Sequence, residues 1–182
     1  RPGMSLDLGA IAKGYAADLI AEYLRGQGYH KAIIDLGGNV LAMGSRPDGS
    51  GWRIGIQDPG EQRGNPLGML EAQDRTIVTS GIYERYFHQD GAHYHHFPDT
   101  RTGYPVDNNL LSVTIVTDES MQADAMSTSV FALGLADGMK FVESREDAEA
   151  IFITKDKEVY LTSGLKDQFR LTREDYRLAG EL

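Results

Sequence analysis

Cysteine is missing from this 182-residue sequence. Disulfides, thiolate metal sites, iron–sulfur clusters and a cysteine nucleophile are therefore excluded. Long apolar runs are missing too: none approaches the roughly 20 residues that a helix needs to cross a bilayer. No signal-peptide pattern is visible, and the sequence opens at Arg1-Pro2-Gly3 without an initiator methionine, as a cut end would. Positive charge is scarce, with 18 Lys and Arg against 27 Asp and Glu, a net charge of -9 and a pI near 5.0. With no basic stripe, a general nucleic-acid binder is not expected. Internal repeats, heptads and low-complexity tracts are absent. What is there is ordinary globular composition, 41% hydrophobic and 25% charged, long enough for one domain with a real core.

The apolar spacing of Ile11, Tyr15, Leu19, Ile20, Tyr23 and Leu24 predicts a helix, capped by Ser5 or Asp7 and ended at Gly26 or Gly28. Lys31–Leu36 reads as a buried strand broken by Gly37-Gly38. Val40–Met43, Trp52–Gln57, Met69–Ala72 and Thr76–Thr79 read as further strands, and Tyr83–Gln89 and Ala92–His96 as a hairpin about Asp90-Gly91. Phe97–Asn109 is too irregular for an element and reads as a functional loop. Leu111–Thr117 alternates as a strand, Met121–Leu133 and Asp137–Ser144 as helices, and Ile151–Thr154 with Val159–Thr162 as a closing hairpin. The charged tail from Thr172 is expected to be peripheral. Helices mixed with hairpin-linked strands point to an α+β fold with a mostly antiparallel sheet.

Five places carry chemistry. Asp124 and Thr128 share one face of a helix, one turn apart. Their hard oxygens suit Mg²⁺, although a solvated acid and a surface threonine explain an isolated pair equally well. At Asp7-Leu8-Gly9-Ala10-Ile11-Ala12-Lys13-Gly14, an acid, two glycines and a lysine crowd a helix start. Unpaired N–H groups there attract phosphate, while a simple cap is the plainer explanation. Asp35-Leu36-Gly37-Gly38-Asn39 fits a type I′ turn or a backbone cradle for a ligand, and Ser80-Gly81 fits a turn leading to an edge strand. Finally, His93, His95 and His96 cluster in one strand, with His93 and His95 on one face. They are a partial zinc set, a polar hairpin face, or the seat of a base that works near neutral pH.

In this order, the segments Asp7–Tyr15, Asp35–Asn39, Ser80–Arg85, the His96…Asp99…Thr102-Gly103 loop and Ala123–Thr128 resemble the ApbE-type flavin transferases, the FAD:protein FMN transferases. The resemblance runs from Leu6 to Leu161. Thr100 follows Asp99 where the family loop has proline, and Pro98 precedes it. The resemblance implies an ApbE-like, T-fold-like domain whose N-terminal part is missing. Residues 1–182 then form a single domain, the C-terminal portion of a longer flavin transferase.

It further implies Mg²⁺-dependent transfer of FMN from FAD to a threonine hydroxyl of an acceptor protein, with release of AMP. On the family pattern, Asp124, Thr128 and the Ala10 carbonyl hold Mg²⁺. Asp7 and Lys13 contact FAD, His95 lines the nucleotide site, and His96 is the general base, with Asp124 the other catalytic residue. Met126, Val130, Phe131 and Leu133 should only pack. Family members commonly act outside the cytoplasm, anchored to a membrane by an N-terminal lipid. The competing readings are an FAD pyrophosphate hydrolase yielding FMN and AMP, and a flavin-binding module without catalysis.

Overall fold

The computed structural model describes residues 2–180, apart from the side chains of Ala92 and His93. The pairing of His93 with His95 on one strand face therefore lies outside the described residues. A seven-stranded sheet forms the middle layer. Its order is β1 (Ala32–Asp35), β2 (Asn39–Met43), β5 (Arg75–Gly81), β8 (Leu110–Thr117), β9 (Ala148–Thr154), β10 (Glu158–Leu161) and β12 (Arg177–Leu178). All neighbours are antiparallel except β10 and β12. The α+β expectation holds.

Strand periodicity makes the layers. In β9, Ile151 and Ile153 face a second sheet of β3 (Trp52–Gln57), β4 (Pro66–Ala72) and β11 (Phe169–Leu171), whereas Ala150 and Phe152 face the helices. Both faces of the central strands are covered, which explains their near-continuous apolar sequence. On the helical side lie α1 (Ala12–Gly26), α2 (Ser120–Leu133) and α3 (Leu135–Glu143). Ala17 and Ala21 of α1 pack on Ile34, Leu41 and Met43, while Ala123, Met126, Val130 and Phe131 of α2 pack on Val113 and Ile115. Among the described residues no helix is long and apolar enough to cross a membrane.

Turn chemistry is mostly as expected. Gly37 and Gly38 both have positive φ, 71° and 91°, closing the β1–β2 hairpin as a type I′ turn. Asp90 and Gly91, at 50° and 78°, do the same between β6 (Tyr86–Gln89) and β7 (Ala92–His95), a ribbon outside both larger sheets. Several expectations fail. The strand expected to be buried at Lys31–Leu36 is the sheet edge β1, where Ile33 is exposed. Neither Ser5 nor Asp7 caps α1, because the Asp7 carboxylate accepts the Gly9 N–H at 2.7 Å, a turn too early. Ser80 and Gly81 close central strand β5 rather than forming a turn. Leu133 is 48% exposed, since α2 ends beside Gly134. The tail is not peripheral: Tyr176 is buried and donates to the buried Asp58 carboxylate at 2.7 Å, while β12 joins the seven-stranded sheet.

Candidate active site at the α1–α2 junction

Helix α1 begins without a side-chain cap of its own. The Gly14 N–H lies in the first turn of α1, where no helical carbonyl is available, and it donates to Asp124 Oδ2 on α2 at 2.9 Å. The Lys13 amide also favours the charged form of this carboxylate. A negative charge at a helix N-terminus meets both the unpaired donors and the positive end of the dipole there. Asp124 is only 5% exposed, so it is neither solvated nor negligible for stability, contrary to the plain reading of its sequence. Burial raises its pKa, and the Gly14 amide, the Lys13 charge and the Lys13 amide partly offset this.

The approach is close because Gly14 has no side chain. A Cβ there would lie 2.2 Å from the Ser120 carbonyl oxygen. One turn along α2, Thr128 is half-buried, with its hydroxyl 3.4 Å from Ser80 Oγ, and Ser80 Oγ lies 2.8 Å from Ser127 Oγ. Lys13 reaches over the β1–β2 turn to the Gly37 carbonyl at 3.4 Å. Two motifs 24 residues apart in sequence thus meet in space.

Lys13 also lies near enough to His96 to lower its pKa. The His96 pKa falls below its ordinary value chiefly through burial, with the Arg85 backbone bond and Glu84 opposing and the Arg85 and Lys13 charges adding to the fall. Its Nδ1 lies 3.1 Å from the Arg85 carbonyl, an oxygen that can only accept. Nδ1 therefore carries the proton and Nε2 keeps its lone pair. Beside it, between the two larger sheets, opens a cleft of about 380 Å³ lined by Asp35, Gly38, Arg63, Thr79, Tyr83 and Glu84.

The sequence-derived residues do not all converge. Asp124 meets the α1 start at Gly14, Thr128 stands one turn further along α2 beside Ser80, and the Lys13 charge acts on both Asp124 and His96, while Ala10 lies just before the helix. Asp7 is exposed and held by its own turn. His95 is held by backbone, with Nε2 3.1 Å from the Val106 carbonyl and Nδ1 accepting the Phe97 N–H at 3.3 Å, and it lines a separate hollow with Tyr94 and Asn108.

A divalent cation fits the oxygens present. Asp124 offers a carboxylate whose charge is otherwise penalised by burial, Thr128 a hydroxyl, and Ala10 a carbonyl just ahead of the first helical residue. Among the described residues no three His, Asp or Glu side chains form a metal cluster. Remaining ligands would then come from a bound diphosphate and water, the habit of Mg²⁺.

The ApbE family pattern matches residues 1–152 of the chain. The chain belongs to the ApbE family. A relative from Klebsiella pneumoniae (strain 342), named FAD:protein FMN transferase, is 44% identical over 178 residues, which is 98% of this chain and 54% of that protein. Another of that name from Treponema pallidum is 38% identical over 93% of the chain and 49% of its own length. Among solved structures, the flavin transferase ApbE from Vibrio cholerae superimposes with a TM-score of 0.79 at 34% identity, covering 92% of this chain and 53% of that one. The ApbE protein from Thermotoga maritima gives 0.81 at 32% identity, covering 91% and 53%. This ApbE-family chain spans about half the length of the relatives it matches. Sequence reading missed Asp18, whose partners lie on α2; the only signal was its spacing of four residues from Gly14.

Proposed function

We propose that the chain carries the catalytic centre of an FAD:protein FMN transferase, which moves FMN from FAD to a threonine hydroxyl of an acceptor protein and releases AMP. The observation that supports this most is the position of Lys13. It adjoins Gly14, whose N–H holds the buried Asp124 carboxylate, and its charge acts on both Asp124 and His96, so a diphosphate at the α1 start would have a point charge, an acid and a base to meet.

On this reading Asp124, Thr128 and the Ala10 carbonyl hold Mg²⁺, which when bound neutralises charge on the diphosphate. Lys13 adds a point charge for phosphate oxygens. The cleft bordered by Arg63 and Tyr83 takes part of the dinucleotide. His96 Nε2 accepts the proton of the acceptor threonine while its oxygen bonds to the FMN phosphorus. The bond from that phosphorus to the bridging oxygen breaks, and AMP leaves with that oxygen. Burial keeps the imidazole neutral, and the Arg85 carbonyl fixes its tautomer and orientation for this step.

The test is incubation with FAD, Mg²⁺ and a threonine-bearing acceptor, followed by mass spectrometry of the acceptor. The expected result is one FMN phosphoester per acceptor with an equal amount of AMP. Free FMN with an unmodified acceptor would establish the hydrolase instead, and intact FAD would leave only a binding module.

A further inference from the structure

The two helices that form this centre hold each other by exchanged carboxylates. Asp124 of α2 takes the Gly14 N–H at the start of α1. In return, Asp18 of α1 takes the two N–H groups that open α2, Ser120 on Oδ1 at 2.9 Å and Met121 on Oδ2 at 2.8 Å. Gly14 and Asp18 are four residues apart, as are Ser120 and Asp124. Each pair therefore lies on one helical face, and each helix supplies both a donor end and an acid. Neither helix has a side-chain cap from its own N-cap residue, so the exchange replaces local capping. Ser120 extends the arrangement into the sheet: its hydroxyl donates to the buried Asn39 at 2.6 Å and receives Thr76 at 3.1 Å.

We propose that Asp18 is a positioning residue that fixes Asp124 against the start of α1. Its carboxylate pins the first turn of α2, and Asp124 lies one turn further along that helix. Without that pin, the Gly14 bond loses its alignment and the Asp124 carboxylate is no longer held at the start of α1. The consequence for cation binding rests on the reading proposed above; the mechanical link does not.

Asp18→Asn is the sharpest probe, because its side chain has one acceptor oxygen where the carboxylate has two. Tyr176→Phe is the matched control, since it removes a buried hydrogen bond far from the helices. Amide hydrogen exchange at Gly14 should quicken at least about tenfold in Asp18→Asn and stay unchanged in Tyr176→Phe. Titration of Mn²⁺ in the presence of FAD should show affinity about 10- to 100-fold weaker in Asp18→Asn, the usual effect of losing an outer-shell partner. Asp18→Glu, which keeps both oxygens, should recover part of each loss. Unchanged Gly14 exchange in Asp18→Asn would overturn the proposal, as would equal quickening in both variants or undiminished Mn²⁺ affinity. Quickened exchange in Asp18→Asn alone, with no Mn²⁺ binding even by the wild type, would uphold the positioning role and sink the metal reading.

Discussion

Replacing Gly14 by alanine sets two effects of opposite sign against each other. Helix propensity favours alanine by about 1 kcal/mol. Against this, the new methyl carbon would sit 2.2 Å from the Ser120 carbonyl oxygen and 2.6 Å from Met121 Cα. Both obstacles are backbone, so no side chain can swing aside. The helices must part by on the order of 1 Å to restore ordinary contact near 3.5 Å. Overpacking of this kind costs about 1–3 kcal/mol, and stretching the charge-assisted bond from Gly14 to Asp124 adds about 1.5–3 kcal/mol. After the alanine gain is subtracted, a central loss of about 3 kcal/mol corresponds to a fall of about 6–12 °C in Tm for a chain of this size. Thermal and urea denaturation of Gly14→Ala would measure it, with Gly26→Ala as reference. A Cβ at Gly26, at the far end of the same helix, meets nothing within 4 Å, so that variant should be neutral or slightly more stable. Equal or higher Tm in Gly14→Ala would refute the close approach of the two helices and the site built upon it.

Asp124→Asn should retain an acceptor for the Gly14 amide and relieve the burial of a charge. Stability is therefore expected to match or exceed wild type while flavin transfer and its Mg²⁺ dependence disappear; a clear drop in Tm with activity preserved would contradict both halves. His96→Ala should slow transfer by about 10²–10⁴-fold, and a loss well under tenfold would reduce His96 to a positioning role. Because its pKa is lowered by burial, the base form is already present at neutral pH. The rate should then rise with pH through a midpoint below 6.5 and level off above it, and a midpoint above that value would contradict the environment described here.

Much of the fold was legible because its signals are local. The period of α1, the Asp90-Gly91 and Gly37-Gly38 turns and the apolar runs of β8 and β9 each depend on residues close in sequence. The failures share a cause, since each depends on a partner far along the chain. Asp7 looks like a cap until Asp124, 110 residues beyond Gly14, occupies that place. Asp124 looks solvated until α1 covers it. The tail looks loose because its charges advertise solvent, while one tyrosine in it meets an acid 118 residues earlier. The candidate site residues came from motif resemblance, and the partners of Asp18 were invisible because a carboxylate in mid-helix normally signals only a wet face.

The final segment of the chain has a consequence beyond anchoring its own end. It lends one edge strand to the three-stranded layer and, a few residues later, another to the seven-stranded one. The two layers are thus tied by one short stretch of chain at the β11–β12 end. The hollow lies toward the other end, where β1, β2, β3 and β5 line it, so its width is set by side-chain packing and by the loops around its mouth rather than by that tie.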